Sequence, residues 1–343
     1  MKIEDKNIES YENLKSPGEL KKELPNKFEE FILETREKIK KILDGKDNRK
    51  LIIAGPCSIH NVEEAIEYAK KLKELQEKVK DKFLLVMRTY FEKPRTTIGW
   101  KGLVYDPNLD GSNEIENGLE KAREFLLELA EMNVAAGTEF LGPLTPQYLG
   151  DLISWTAIGA RTTESQPHRE MASGLSMPVG FKNSTSGNIN LAINSIKSAK
   201  NKHSFLGIDN EGKSKIVHTK GNRDCHLILR GGKKKGEYIS NYDKESIEKA
   251  LNSLEKEGLS KSIIVDCSHG NSGKDHRKQP EVFREVLPLM KKDWVKGVML
   301  ESYLKEGSQN IDKDKLKYGV SITDDCMGWE TTKELILEGY REL

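Results

Sequence analysis

The sequence predicts an α/β chain built on a closed (β/α)8 barrel of the TIM type, with an N-terminal helical extension and an inserted β-hairpin. Three observations carry that expectation. Eight short apolar runs recur between Leu51 and Leu300. Polar stretches of helical periodicity separate most of them, the mark of repeated βα units. A charged or reactive side chain follows every run, where a parallel barrel places its working rim.

The elements follow in chain order. Residues 1–48 form a charge-rich extension, in which Phe28, Phe31, Ile32, Ile39, Ile42 and Leu43 recur near helical spacing and predict an amphipathic helix over Lys27–Leu43. The barrel is expected over 49–343. Its strands are read at Leu51–Ala54, Phe83–Met87, Val134–Thr138, Trp155–Ala160, Pro178–Phe181, His226–Leu229, Ser262–Asp266 and Val295–Leu300. Val62–Val79 and Glu116–Met132 are two of the intervening helices, and Thr331–Leu343 closes the chain. The segment from about 203 to 221 fits no helix. It reads as two short strands around Asn210-Glu211-Gly212, a hairpin inserted before the sixth strand. Gly231 to Gly236 reads as a basic loop.

Bulk composition narrows the function. The 343 residues carry 56 Lys+Arg against 55 Asp+Glu. That balance gives no global attraction to nucleic acid or to a membrane. No apolar run approaches the roughly 18 residues of a membrane span, and MKIEDKNIES lacks the apolar core of a secretion signal. Cys57, Cys225, Cys267 and Cys326 are far apart with no C-x-x-C, so a reducing, cytoplasmic setting is expected.

The strand ends deliver, in order, Gly55-Pro56-Cys57-Ser58, Arg88, Glu139, Arg161, Lys182, Arg230, His269 and Glu301. Any one of these fits a solvated loop; eight of eight does not. Two chemical sets emerge. Arg88, Lys93, Arg95, Arg161, Lys182 and Arg230 are cations, and arginine forks match phosphate and carboxylate oxygens in pairs. Six clustered cations with no anion would repel one another. They suit roughly four or five negative charges, as on two phosphates and a carboxylate, and so two anionic substrates. The second set is Cys57, His269, Glu301 and Asp324. Thiolate, imidazole and carboxylate donors suit a divalent transition ion such as Mn, Fe, Co or Zn, if closure brings these distant segments together.

Seven motifs then match a known family: GPCSIH (55–60), MRTYFEKPRTTIGWKGL (87–103), IGARTTESQPHRE (158–170), PVGFKN (178–183), CHLILRGG (225–232), DCSHGNS (266–272) and SITDDCMGWE (321–330). The chain resembles the class I (α-type) 3-deoxy-D-arabino-heptulosonate 7-phosphate (DAHP) synthases, from about residue 10 to the C-terminus. The resemblance implies a metal-dependent condensation of phosphoenolpyruvate with erythrose 4-phosphate and water, releasing phosphate, at the entry to aromatic amino acid synthesis. It implies Arg88, Lys93, Arg161, Lys182 and Arg230 for phosphoenolpyruvate. Lys93, Pro94, Arg95, Thr96 and Asp324 are implied for erythrose 4-phosphate. The metal falls to Cys57, His269, Glu301 and Asp324, and the chemistry to Lys93, Lys182, Glu139 and His269. Lys182 and Glu139 both remain candidates for the proton of the attacking water.

The resemblance also implies a homotetramer and an allosteric site for an aromatic amino acid, drawing on Pro146, Phe205 and Gly207. Gly207 favours tyrosine over phenylalanine as the effector. Cys326 is expected beside Cys57, which would make metal-free protein prone to oxidation there. Gly142, Ser184 and Pro167 depart from the family pattern, and Ser184 leaves the turn after the fifth strand open. Rival readings are an octulosonate-phosphate synthase using arabinose 5-phosphate, a non-catalytic phosphosugar sensor and a metal-dependent phosphatase.

Overall fold

The computed structural model describes residues 3–343. Its strands are β1 (Lys50–Gly55), β2 (Phe83–Arg88), β3 (Ala135–Glu139), β4 (Trp155–Ile158), β5 (Val179–Lys182), β6 (Ser204–Ile208), β7 (Ser214–His218), β8 (Cys225–Leu229), β9 (Gly232–Lys234), β10 (Glu237–Ile239), β11 (Ile263–Asp266) and β12 (Gly297–Glu301). Eight of them close a parallel barrel in the order β1-β2-β3-β4-β5-β8-β11-β12, with β12 paired back to β1. The eight apolar runs are thus the eight barrel strands. They are buried almost throughout because helices cover the outside and side chains fill the inside.

The helices are α1 (Pro17–Glu23), α2 (Glu29–Leu43), α3 (Val62–Val79), α4 (Ile115–Glu131), α5 (Thr145–Leu149), α6 (Gln166–Gly174), α7 (Ile189–Ala199), α8 (Lys244–Lys256), α9 (Gln279–Lys291) and α10 (Trp329–Glu342). The predicted N-terminal helix is α2. Its Ile39, Ile42 and Leu43 join Leu51, Ile53, Val86, Trp155, Ile228, Ile264 and Met299 in one cluster. The extension therefore packs its apolar stripe into the barrel interior. Helix α1 escaped the sequence reading because it is only two turns long. Its start is nonetheless marked by Ser16, which forms a reciprocal capping box with Glu19 ahead of Pro17.

Two antiparallel ribbons decorate the barrel. β6 and β7 form the expected hairpin, with Ile208 opposite Ser214. The basic segment from Gly231 to Gly236 is a correction: it opens a second ribbon, β9–β10, with Lys234 opposite Glu237. Lys235 (φ 50°) and Gly236 (φ 90°) form its two-residue turn, and two consecutive left-handed residues match the right-handed strand twist. The fourth strand also ends at Ile158, short of Ala160, because the Gly159 carbonyl turns to accept from Thr162 and Thr163.

Arg123 of α4 ties the extension to the barrel wall. It is fully buried, donates to Leu24 O (2.7 Å) and Tyr148 O (2.9 Å), and pairs with Asp151 at 2.8 Å. Arg123→Met should destabilise the chain by about 3 kcal/mol, the lower end for a broken buried ion pair, since Asp151 keeps some water. Calorimetry should show a lower melting temperature and limited proteolysis faster cleavage around α1. A variant that melts with the parent chain would refute this role.

Candidate active site

The C-terminal strand ends open into a cleft of about 230 Å³. Arg88, Lys93, Pro94, Arg95 and Thr96 line it from β2 and its loop. Glu139, Arg161, Lys182, Arg230, His269, Glu301 and Asp324 complete the wall. Gly55 lets β1 and β2 converge here, since a Cβ on it would stand 2.8 Å from Arg88 O.

The cations fall into two layers. Arg88 is fully buried; its Nη2 reaches Glu301 Oε1 at 3.0 Å, and its guanidinium lies 3.9 Å from the centre of the Tyr90 ring. Lys182 Nζ sits 3.1 Å from Asp266 Oδ2. Burial opposes both charges, but the neighbouring acids and Tyr90 more than offset it and keep Arg88 and Lys182 protonated. Glu301 and Asp266 thus stand among the cations. Arg95 and Arg161 are exposed at the mouth, and Arg230 is largely buried with its backbone N–H held by Asn183 Oδ1 at 2.8 Å.

The second set gathers where β1 meets β12. Gly55 lies opposite Glu301 in the register. Cys57, Glu301 and Asp324 each present a donor atom, all within 4.8 Å of one another. His269 Nε2 approaches from β11, 3.7 Å from Glu301 Oε1, outside that tight trio. Its other nitrogen, Nδ1, lies 2.9 Å from Asp266 Oδ2 and 2.6 Å from Ser268 Oγ. This orients Nε2 toward the acids, the arrangement that positions a metal-binding imidazole. His269 adopts φ 54°, a left-handed conformation that costs energy for a side chain of this size.

The electrostatics fit a cation between these donors. A buried carboxylate, Glu301, and a half-buried one, Asp324, so close together repel unless a positive charge stands near them. Lys93 Nζ supplies part of it, 3.1 Å from Cys57 Sγ. Lys274 Nζ supplies more, 3.0 Å from Asp324 Oδ1. Burial works against ionisation of Asp324, yet Lys93, Lys274 and His269 hold it down at about 2. Burial and Glu301 push the Cys57 thiol up. A thiol, an imidazole and two carboxylates converging at these distances fit a divalent transition ion. Cys326 is where expected: its Sγ accepts from Cys57 N at 3.4 Å.

Three partners went unread in the sequence. Asp266 ends the run Ile263-Ile264-Val265, and an acid closing an apolar strand was the available signal; it is fully buried and serves both Lys182 and His269. Tyr90 supports Arg88, and nothing in the spacing marks it. Lys274 sits in a loop whose path only the fold reveals. Ser184 leaves no open turn: its Oγ accepts from Asn188 N at 3.2 Å and meets Ser186 Oγ at 2.9 Å.

Comparison with known proteins decides the family. A family model described as the DAHP synthetase I family matches residues 25–337. The chain belongs to the DAHP synthetase I family. It is 49% identical over 336 residues to the Tyr-sensitive phospho-2-dehydro-3-deoxyheptonate aldolase of Escherichia coli K12, covering 96% of this chain and 93% of that protein. It is 46% identical over 355 residues to the phenylalanine-inhibited enzyme of Saccharomyces cerevisiae, covering 99% and 95%. The solved phospho-2-dehydro-3-deoxyheptonate aldolase from Francisella tularensis SCHU S4 superposes with a TM-score of 0.94 at 45% identity, over 98% of both chains. The family's barrel is therefore complete here, and the cleft described above is its C-terminal mouth.

Asp266→Asn should loosen Lys182 and His269 together. We expect phosphate release to fall about 100-fold and metal affinity about 10-fold, the range for partners that orient metal ligands. Steady-state rates and titration against a competing chelator measure the two effects. Unchanged values for both would remove Asp266 from the machinery.

Proposed function

We propose that the chain condenses phosphoenolpyruvate with erythrose 4-phosphate and water, giving DAHP and phosphate, with the following division of labour. Arg88, Arg161, Lys182 and Arg230, with Lys93, hold the phosphate and carboxylate of phosphoenolpyruvate. Lys93, Pro94, Arg95 and Thr96 hold the tetrose phosphate, with Asp324 beside them. The observation that carries this reading is that one cleft, in a chain of this family, is lined by cations from both sets and adjoins the metal donors.

Cys57, His269, Glu301 and Asp324 would hold a divalent ion that supplies Lewis acidity toward the aldehyde oxygen. The protein's own groups do the rest. The cations fix both anions in register, which removes the entropic cost of bringing C3 of phosphoenolpyruvate to the aldehyde carbon. Arg88 and Lys93, pinned close to the metal donors, offset negative charge as it develops. Glu139 takes the proton of the water that adds at C2. Glu139 lines the cleft, and its buried Oε1 has no hydrogen-bond partner in the chain, which leaves an acceptor unused. Lys182 is held protonated by Asp266 and cannot serve as that base.

The reading extends to regulation and assembly. An aromatic amino acid, tyrosine in preference to phenylalanine, binds near Pro146, Phe205 and Gly207, and the chain assembles as a homotetramer. The hairpin tip meets the extension through Gly18 N donating to Asn210 O at 2.6 Å, so effector elements join within one subunit. Cross-strand neighbours Leu206 (86% exposed) and Ile216 (66% exposed) leave an apolar pair for a second subunit to cover. Among the described residues no helix is long and apolar enough to cross a membrane. All four cysteines are free and buried, which supports the cytoplasm as location.

Phosphate release should require both substrates and should cease with a chelator. Arabinose 5-phosphate should not replace the tetrose, and release without any sugar would instead indicate a phosphatase. In calorimetric titrations tyrosine should bind more tightly than phenylalanine; the reverse order would correct the effector.

A further inference from the structure

Glu92 is a buried acid, 2% exposed, placed immediately before the tetrose-phosphate segment and taking no part in the chemistry above. Its carboxylate is unusually well supplied with donors. Oε2 accepts from Leu141 N at 3.1 Å, and Oε1 accepts from Gly142 N at 3.0 Å and Thr145 Oγ1 at 2.9 Å. The Tyr105 hydroxyl lies beside it, near the point where a Gly142 Cβ would stand. Leu141 and Gly142 lie in the turn between β3 and α5, and Thr145 opens α5. Gly142 makes the room: a Cβ there would stand 2.8 Å from Glu92 Oε1.

The segment beyond Glu92 needs such an anchor. Residues 95–99 are exposed, with Ile98 at 99%. Lys93 N bonds Lys101 O at 2.8 Å and Arg95 Nε bonds Trp100 O at 2.7 Å, but both bonds lie inside the loop. They shape the loop without fixing it to the barrel. Among the described residues, hydrogen bonds from 91–101 to the loop of another strand come from Glu92 and from the Lys93 ammonium alone. The tie continues onward. Leu141 O meets His168 Nε2 at 2.8 Å, and His168 Nδ1 meets Ser165 Oγ at 2.8 Å, in the loop and helix that follow Arg161.

We propose that Glu92 is a positioning residue: its carboxylate clasps the Lys93–Thr96 segment to the β3–α5 turn and so sets the spacing between the cations of adjacent loops. The proposal rests on the reading of that segment as the tetrose-phosphate site. Burial pushes the Glu92 carboxyl up to about 7, while the Leu141, Gly142 and Thr145 donors pull against that rise. Two buried oxygens aimed at three donors are costlier to place than an apolar side chain of the same size, which a filler role does not require. In the ionised form these bonds are charge-assisted, and such bonds are among the stronger ones available to a protein. A displacement of about 1 Å in a substrate-holding group costs on the order of 10²-fold in rate.

The test is a set of point variants assayed with both substrates. Glu92→Gln keeps the volume but turns a donor toward one of the two backbone N–H groups. It should raise KM for erythrose 4-phosphate by roughly 10- to 100-fold and leave KM for phosphoenolpyruvate within about twofold. Thr145→Val should give a smaller shift in the same direction, and Thr145→Ser, which keeps the hydroxyl, should behave as the parent. Equal changes in both KM values, or a lower melting temperature with kinetics intact, would reduce Glu92 to a structural role and overturn the proposal. Should Glu92→Gln not fold, an unchanged KM in Thr145→Val would overturn it as well. Arg95→Ala separates the two readings. If it raises KM for the tetrose while Glu92→Gln does not, the clasp alone fails. If it leaves that KM unchanged, the assignment of the segment fails and the clasp falls with it.

Discussion

The seam where β12 pairs with β1 imposes the central constraint. Its register sets Gly55 beside Glu301, so the chain leaving β1 carries Cys57 onto a buried carboxylate. Asp324 folds over the same spot from the loop before α10, and the three donors meet within 4.8 Å. Such a cluster of acids, with Glu301 fully buried, is costly unless positive charge is brought to it. Much of the surrounding architecture answers that demand. Arg88 lies against Glu301, Lys93 against Cys57, and Lys274 against Asp324.

These pairings divide the cations by depth. Arg88 and Lys182 are buried and matched by acids of the chain itself, so they form a fixed floor with fixed charge. Arg95 and Arg161 stand at the open side, where an incoming anion can meet them. Two small anions brought to such a place would otherwise repel each other. A floor that is already neutralised and a rim that is not allows both to bind without collapse of the empty cleft. Asp266 links the two sides of the chemistry, because one buried carboxylate orients both Lys182 and His269. Its effect reaches the metal donors and the anion site at once.

Much of this was legible in the amino-acid order. Apolar runs of four to six residues, each followed by a reactive side chain, fixed the barrel and its rim because parallel strands are buried on both faces and end at the functional side. Cys57, His269, Glu301 and Asp324 read as one donor set although Cys57 lies far from the others in the chain, and closure brings Cys57 to Glu301 and Asp324. The signal failed where chemistry depends on shape alone. Tyr90 and Lys274 are ordinary residues until the fold brings Arg88 and Asp324 to them. Glu92 was visible only as one acid among cations, and its three donors come from a turn and helix start whose path no periodicity records. The β9–β10 ribbon was missed because a run of lysines hides a two-residue turn that needs left-handed backbone at Lys235 and Gly236.

The account depends on a sulfur donor meeting carboxylates at one metal centre, and cobalt(II) reports on that directly. Bound to the intact chain, it should give the intense sulfur-to-cobalt charge-transfer absorption of a thiolate complex, and Cys57→Ser should abolish that band while cobalt still binds weakly. A band that survives in Cys57→Ser, or one that never appears in the parent chain, would contradict the assembly of the centre at the β1–β12 seam.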